Sequence, residues 1–310
     1  MFLTITANAA LDRVIFIPEF TPTTNMRAER VHDCVGGKGF DTSVVLQALG
    51  VEQLALGFLA GPTGRTLEQV LLNYGIPLEI TWVDGDTRIA HVISETRLHR
   101  HSHVITPGYR ISEAQAEEFV AGYTRRLAQA EWVIASGSLA PGLPAGFYQR
   151  LTRLAHEHGA RMLIDCPGDP ARLAVPEKPD ILKMNLDELH STFGLQAGEV
   201  RTLEPLVRRL REQAGLPAVV ITAGPEGVLA VTPEGSYLSA APRQNAVNAA
   251  GAGDAVSASL TWRLARGETW AQAMHWAAAV SAASVLTEGT SDCRIEDVER
   301  IYPQVSVTRL

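Results

Sequence analysis

Beyond about residue 115 the chain alternates short apolar blocks with longer segments whose apolar residues recur every three to four positions. The blocks at 132–135, 161–165, 181–184 and 218–222 read as strands, and the periodic segments at 113–130 and 147–158 read as helices. This alternation predicts an α/β fold, with mostly parallel strands covered by helices on both faces. The first third differs, because 12–18 with its neighbour 30–35, and then 87–105, look like strands without a following helix. Within the last stretch His91, Ile93 and Glu95 alternate with Val92, Ser94 and Thr96, the pattern of a half-exposed sheet. These segments predict a small β lid formed by about 12–35 and 87–105, while 40–49 and 66–74 are helical and belong to the main layer. No repeat or linker divides the chain, which predicts a single domain over 1–310.

Composition narrows the function. A formal charge of -7 gives no general attraction to nucleic acid or anionic lipid, so an anionic ligand must meet a local cluster of cations and amides. The alanine-rich stretch 270–286 is interrupted by Gln272 and His275 and reads as a buried helix, not a membrane span. Cys34, Cys166 and Cys293 are odd in number and widely spaced, which suggests neither a disulfide framework nor zinc and fits a reducing cytoplasm.

Three segments carry candidate chemistry. Asn248-Ala249-Ala250-Gly251-Ala252-Gly253-Asp254 opens an apolar helix at 255–265. Glycines at a helix start expose unpaired N–H groups to an anion, and a carboxylate there can take a proton from a hydroxyl attacking phosphorus. The same residues also suit a plain helix cap after a flexible turn. Gly36-Gly37-Lys38-Gly39 precedes another helical run with Asp41 just inside it, and suits either close backbone contact to a sugar or a tight turn with a solvated lysine. Asn185-Leu186-Asp187-Glu188 reads as a magnesium-organising pair or as a capping box, the capping reading being locally the simpler. His99, His101 and His103 share one face of a strand, a row that fits a lid surface better than a tetrahedral metal site.

Taken together and in order, these segments resemble the PfkB family of carbohydrate kinases within the ribokinase-like fold, and most closely its 1-phosphofructokinase and tagatose-6-phosphate kinase branch. The similarity runs from Asn8-Ala9-Ala10-Leu11-Asp12 through Asn25-Met26-Arg27-Ala28, Ser136-Gly137-Ser138-Leu139 and Thr222-Ala223-Gly224-Pro225-Glu226-Gly227 to Thr287-Glu288-Gly289-Thr290. It implies a three-layer αβα sandwich with a central mostly parallel sheet and a small β-sheet lid. By the same resemblance Asp254 is the catalytic base, and the amides of Gly251, Ala252 and Gly253 form the anion hole for the transferring phosphoryl group. Asp12, Gly37, Lys38 and Asp41 match sugar-binding positions, and Arg27, Lys38 and Arg88, with Ser138, match the positions that hold an existing phosphate. Lys183, Asn185, Thr222, Gly224 and Gly227 match the nucleotide side, with Ser281 to Ser284 near adenine. Asn185 and Glu188 match the element that organises Mg2+ through water. ATP is then the co-substrate, a monovalent cation is compatible with the family, and a homodimer forms through the lid.

Departures from the family pattern lie mostly at the sugar end. Asp41 stands where the family usually has Asn, which puts an acceptor-only carboxylate there if it is ionised. Ala9 replaces the usual Pro of the opening motif, and Ala249 and Ala250 replace a Thr and a larger residue. Residues 102–109, SHVITPGY, keep only Pro107 and Gly108 of the latter half of a TEINGPGP-like segment. The expected activity is transfer of the γ-phosphoryl group of ATP to a hydroxyl of a sugar phosphate of the fructose 1-phosphate or tagatose 6-phosphate type. The alternatives are a kinase for an unphosphorylated sugar or nucleoside, and a non-catalytic sugar or nucleotide sensor on the same fold.

Overall fold

Short strands that are buried along nearly their whole length build the centre of the molecule, seen in a computed structural model that describes residues 1–98, 100–195 and 198–310. The strands in chain order are β1 (Phe2–Thr6), β2 (Ala10–Ile17), β3 (Arg30–Gly36), β4 (Gln53–Ala60), β5 (Leu78–Val83), β6 (Arg88–Glu95), β7 (Arg100–Ile105), β8 (Trp132–Ser136), β9 (Arg161–Asp165), β10 (Ile181–Asn185), β11 (Ala218–Thr222), β12 (Val228–Thr232), β13 (Gly235–Ala240) and β14 (Ser306–Arg309). The helices are α1 (Lys38–Ala48), α2 (Gly61–Asn73), α3 (Glu113–Leu127), α4 (Phe147–Glu157), α5 (Asp169–Ala174), α6 (Leu186–Phe193), α7 (Glu204–Ala214), α8 (Ala252–Ala265), α9 (Trp270–Ser284) and α10 (Ile295–Ile301).

Ten strands form one sheet in the order β14-β13-β12-β11-β10-β9-β8-β1-β4-β5. The pairs from β11 to β5 are parallel, and β11–β12, β12–β13 and β13–β14 are antiparallel. The parallel part matches the expected alternation; the antiparallel edge extends it beyond what the periodicity indicates. On one face Leu3, Val133, Ile164 and Val219 meet α3 to α7, whereas on the other Ile134, Leu163 and Val220 meet α1 and α8 to α10. Both faces are therefore buried, and the central strands are mainly apolar, with polar residues such as Ser136, Asp165, Asn185 and Thr222 at their carboxyl ends. Alanines Ala255, Ala258, Ala273, Ala277 and Ala283 are fully buried and let α8 and α9 pack closely.

β2, β3, β6 and β7 form the separate lid sheet, in the order β3-β2-β6-β7. β2 and β6 are parallel, and β2–β3 and β6–β7 are antiparallel. The stretch at 87–105 is thus a hairpin of two strands. Val14, Phe16, Cys34 and Val92 make a small apolar cluster of their own. His103 is exposed on β7, while His99 and the side chain of His101 lie outside the described residues. Among the described residues no group of three or more His, Cys, Asp or Glu is placed to hold a metal ion, and no helix is long and apolar enough to cross a membrane.

One tyrosine ties the lid to the main sheet. The buried Tyr109 hydroxyl accepts from the Ala9 N–H at 3.0 Å and donates to the Phe58 carbonyl at 2.8 Å. A proline at position 9 has no N–H to offer, so Ala9 and Tyr109, each a departure from the family pattern, form a matched pair. Tyr109→Phe leaves the Ala9 N–H and the Phe58 carbonyl without this partner and is expected to cost about 1–3 kcal/mol, read as a lower urea midpoint with an unchanged m-value.

Candidate active site

The parallel strands end side by side, with Thr6 opposite Ser136, Ser136 opposite Asp165, and Asn185 opposite Thr222. Ligands of open α/β sheets bind outside such carboxyl ends, and a cavity of about 300 Å³ opens there. Its walls include Lys38, Asp165, Lys183, Asn185, Glu188, Thr222, Gly224, Gly227 and the run Gly251 to Asp254. An adjoining, more apolar cavity of about 380 Å³ shares Gly224, Gly227, Val228, Ala249, Ala252 and Ser281 with it and continues past Pro242, Ala278, Ala282 and Val285.

A turn made possible by glycine positions Asp254. Gly251 has φ 80°, the left-handed region, and a Cβ there would collide with Ser291. The helix starts at Ala252, three residues earlier than the sequence pattern indicates, so Asp254 sits inside the first turn. The N–H groups of Asp254 and Ala255 go to the Gly251 carbonyl, whereas those of Gly251, Ala252 and Gly253 have no acceptor among the described residues. Three free amides at a helix N-terminus thus face the cavity beside a carboxylate. Asp254 is only 5% exposed, and its Oδ1 has no hydrogen-bond partner. Burial pushes its pKa up to about 7, with Asp165 and Glu188 adding to the rise and Lys38 and Lys183 opposing it.

Asp165 anchors the cations around that base. It is fully buried at the end of β9 and accepts from Lys183 Nζ at 2.6 Å and from Lys38 Nζ at 3.2 Å. Lys38 also donates to Glu188 Oε1 at 2.6 Å. Burial alone would raise the Asp165 carboxyl, but the two lysines outweigh it and hold it below the usual range. Burial likewise works against the Lys38 ammonium, yet Asp165, Asp254 and Glu188 keep it charged. Asp165 was absent from the sequence-derived candidates; an acid closing an otherwise apolar parallel strand is the signal that marks it.

Asn185 and Glu188 form a reciprocal capping box, Glu188 N–H to Asn185 Oδ1 at 2.8 Å and Asn185 N–H to Glu188 Oε2 at 2.9 Å. The local reading therefore holds, and the pair also lines the cavity. Of the expected stretch Ser281 to Ser284, Ser281 stands in the wall, whereas Ser284 is fully buried and its hydroxyl donates to the Ser281 carbonyl.

On the lid side, Asp12 accepts a long 3.4 Å hydrogen bond from Thr290 Oγ1. Burial raises its pKa to about 7 against the lowering effects of Thr290 and Arg88. Gly36 lies so close that a Cβ would overlap the Asp12 carboxylate, and Gly37 has φ 103°. Arg88 donates to the backbone carbonyls of Asn8 and Ala9 at 3.0 and 3.3 Å, and the Asn8 side chain donates to Ser138 Oγ at 3.2 Å. Asn8 joins Arg88 to Ser138, a link the sequence reading missed although Asn8 begins the opening motif. The expected phosphate-binding trio is not assembled: Arg27 is exposed with no hydrogen bond or ion pair among the described residues, and Lys38 turns toward Asp165 and Glu188.

Comparison with known proteins places this geometry. Residues 4–297 match the pfkB family carbohydrate kinase profile. The chain is 28% identical over 300 residues to ATP-dependent 6-phosphofructokinase isozyme 2 of Mycobacterium tuberculosis, covering 97% of this chain and 88% of the other. It is 28% identical over 312 residues to 1-phosphofructokinase of Bacillus subtilis, covering 100% of both. A Thermotoga maritima crystal structure described as a possible 1-phosphofructokinase superposes with a TM-score of 0.90 at 25% identity, over 100% of this chain and 99% of the other.

The raised Asp254 carboxyl has a consequence for stability. Its folded pKa of about 7 lies above the ordinary 3.8, so its ionisation opposes folding fully above about pH 7, and this effect fades as pH falls toward 3.8. Asp254→Asn is therefore expected to be more stable than the wild type at about pH 8, by up to roughly 4 kcal/mol, with the gap closing toward about pH 4. Urea titrations across that range measure it.

Proposed function

The chain belongs to the pfkB family of carbohydrate kinases, and on that premise we propose that it transfers the γ-phosphoryl group of ATP to a hydroxyl of a ketohexose phosphate, with Asp254 as the general base. The observation that carries this reading is the pairing of a buried carboxylate that lacks a partner with three free helix amides in one cavity wall. Asp254 takes the proton of the acceptor hydroxyl, whose oxygen attacks the terminal phosphorus as the bond to ADP breaks. Gly251, Ala252 and Gly253 donate to the charge that develops on the transferring group. A base whose pKa lies near neutral pH suits this task, being ionised at working pH while still a competent proton acceptor.

ATP lies with its phosphates over Lys38, Lys183 and the glycine turn, and its base enters the apolar cavity between Pro242, Ala278 and Ala282. Magnesium accompanying ATP neutralises phosphate charge. Both Glu188 oxygens are engaged, one by Lys38 and one by the Asn185 N–H, so these residues fit an ion that keeps its waters better than one ligated directly. On the acceptor side Asp12 accepts from sugar hydroxyls, while Arg88, Ser138 and Asn8 surround the phosphate. A second reading, an acceptor without phosphate, draws on the exposed Arg27 and the committed Lys38.

Asp254→Asn is expected to bind ATP in an equilibrium assay yet lose kcat by about 10²–10⁴-fold, and the wild-type kcat/KM should fall on the acid side of an apparent pKa near 7. Full turnover in that variant would remove Asp254 from its role. Arg88→Ala separates the two acceptor classes. For a phosphorylated ketohexose KM should rise roughly 10–100-fold, whereas an unphosphorylated substrate would be nearly indifferent.

We also infer that two copies pair through the lid. Val31, Val104 and Ile105 on its edge strands are 50%, 55% and 56% exposed, the kind of open edge that proteins cover. Light scattering should find a dimer, and Val104→Glu combined with Ile105→Glu should give a folded monomer. Three free, buried thiols fit a reducing cytoplasm as the place of work.

A further inference from the structure

The acceptor side gathers three acidic side chains, Asp12, Asp41 and Asp254, and Asp41 has no ion-pair partner among the described residues. It stands near the start of α1, 5% exposed, and its Oδ1 is shut off from solvent without a hydrogen-bond partner. The titratable groups that bear on it are Asp12 on β2, Asp254 on α8, Lys38 on its own helix, Cys34 on β3, and Tyr74 beyond α2. Lys38, the one cation among them, is turned away to Asp165 and Glu188 at 3.2 and 2.6 Å. A buried carboxylate without an ion pair, facing two further acids, is far less stable than its protonated form. Burial first, then the charges of Asp254 and Asp12, drive the Asp41 carboxyl well above its ordinary range, against a smaller opposing effect of Lys38.

We propose that Asp41 is a neutral carboxylic acid in the working enzyme, and that it both donates to and accepts from an uncharged hydroxyl of the acceptor beside Asp12. The charge state rests on the burial of Asp41, its unpartnered Oδ1 and the acids around it; the hydroxyl contact rests on the kinase reading above. A neutral acid has the donor and acceptor capacity of the Asn that the family usually places here. The replacement therefore keeps the hydrogen-bonding character of the pocket and brings in no negative charge, removing the need for a cationic or amino-substituted substrate. It also makes recognition sensitive to alkali, because ionised Asp41 loses its donor and repels the ionised Asp12 and Asp254.

Infrared difference spectra between the unliganded wild type and Asp41→Asn, at about pH 8 where Asp12 and Asp254 are largely ionised, should contain a protonated-carboxyl stretch. Its absence would overturn the proposal. Carboxyl 13C titration of the wild type gives the same answer without a variant: one buried aspartate should still be protonated after the other two have ionised, and three early titrations would refute it. Kinetics tests the contact. Acceptor KM should rise at alkaline pH in the wild type and lose that limb in Asp41→Asn. The acid limb assigned to Asp254 should keep its apparent pKa in the variant; a fall of about one unit or more would mean that a negative charge had been removed, and so that Asp41 was ionised. A protonated Asp41 in a protein with no kinase activity would leave the charge state standing and sink the proposed function instead.

Discussion

Asp165 and the two lysines it holds are the interaction on which the site depends. A fully buried carboxylate at the end of β9 receives Lys183 from the neighbouring strand β10 and Lys38 from α1, and Lys38 reaches on to Glu188 on α6. Such a buried network is weak evidence for stability, because desolvation offsets most of the attraction. Its effect is to fix positions. Two ammonium groups are held at the mouth of α8, where Gly253 packs toward Lys183 Nζ and where Asp254 would otherwise face only Asp165 and Glu188. The balance brings the Asp254 pKa to about 7, which suits the proton-acceptor role proposed for it.

The lid contributes differently. Asp12 belongs to a lid strand, yet its hydrogen-bond partner Thr290 lies in the loop after α9. Arg30 and His32 on β3 reach Glu288 in that same loop at 2.7 and 3.3 Å. Asn248 donates to the Glu288 carbonyl and accepts from the Ala250 N–H, next to the glycine turn. A chain of short polar links therefore runs from the lid to the amides beside Asp254. Exposed polar links of this kind add little free energy, so they would not oppose the opening and closing that the proposed reaction asks of the lid.

Departures from a family pattern look different once their surroundings are known. Ala9 stands in place of a proline and 102–109 reads as a diverged segment, but the Ala9 N–H and the Tyr109 hydroxyl satisfy one another. Asp41 reads as an added charge, but its surroundings disfavour that charge. In both cases the effect of a residue depends on a neighbour distant in the chain, which local pattern does not contain.

Local pattern determined the parallel strands, the two-strand pieces of the lid and the helix opening at the Gly-Ala-Gly-Asp run, because strand and helix periods and glycine turns depend on residues a few positions apart. The capping box at Asn185 and Glu188 was legible for the same reason. Tertiary structure alone decided that Lys38 faces Asp165 and Glu188, that Asp165 belongs to the site, that within Ser281 to Ser284 the last serine is buried away from the cavity, and that Arg27 stands in solvent. Charge pairing and burial depend on distances across the sheet and between the layers, and those distances exist only after the strands have been placed side by side.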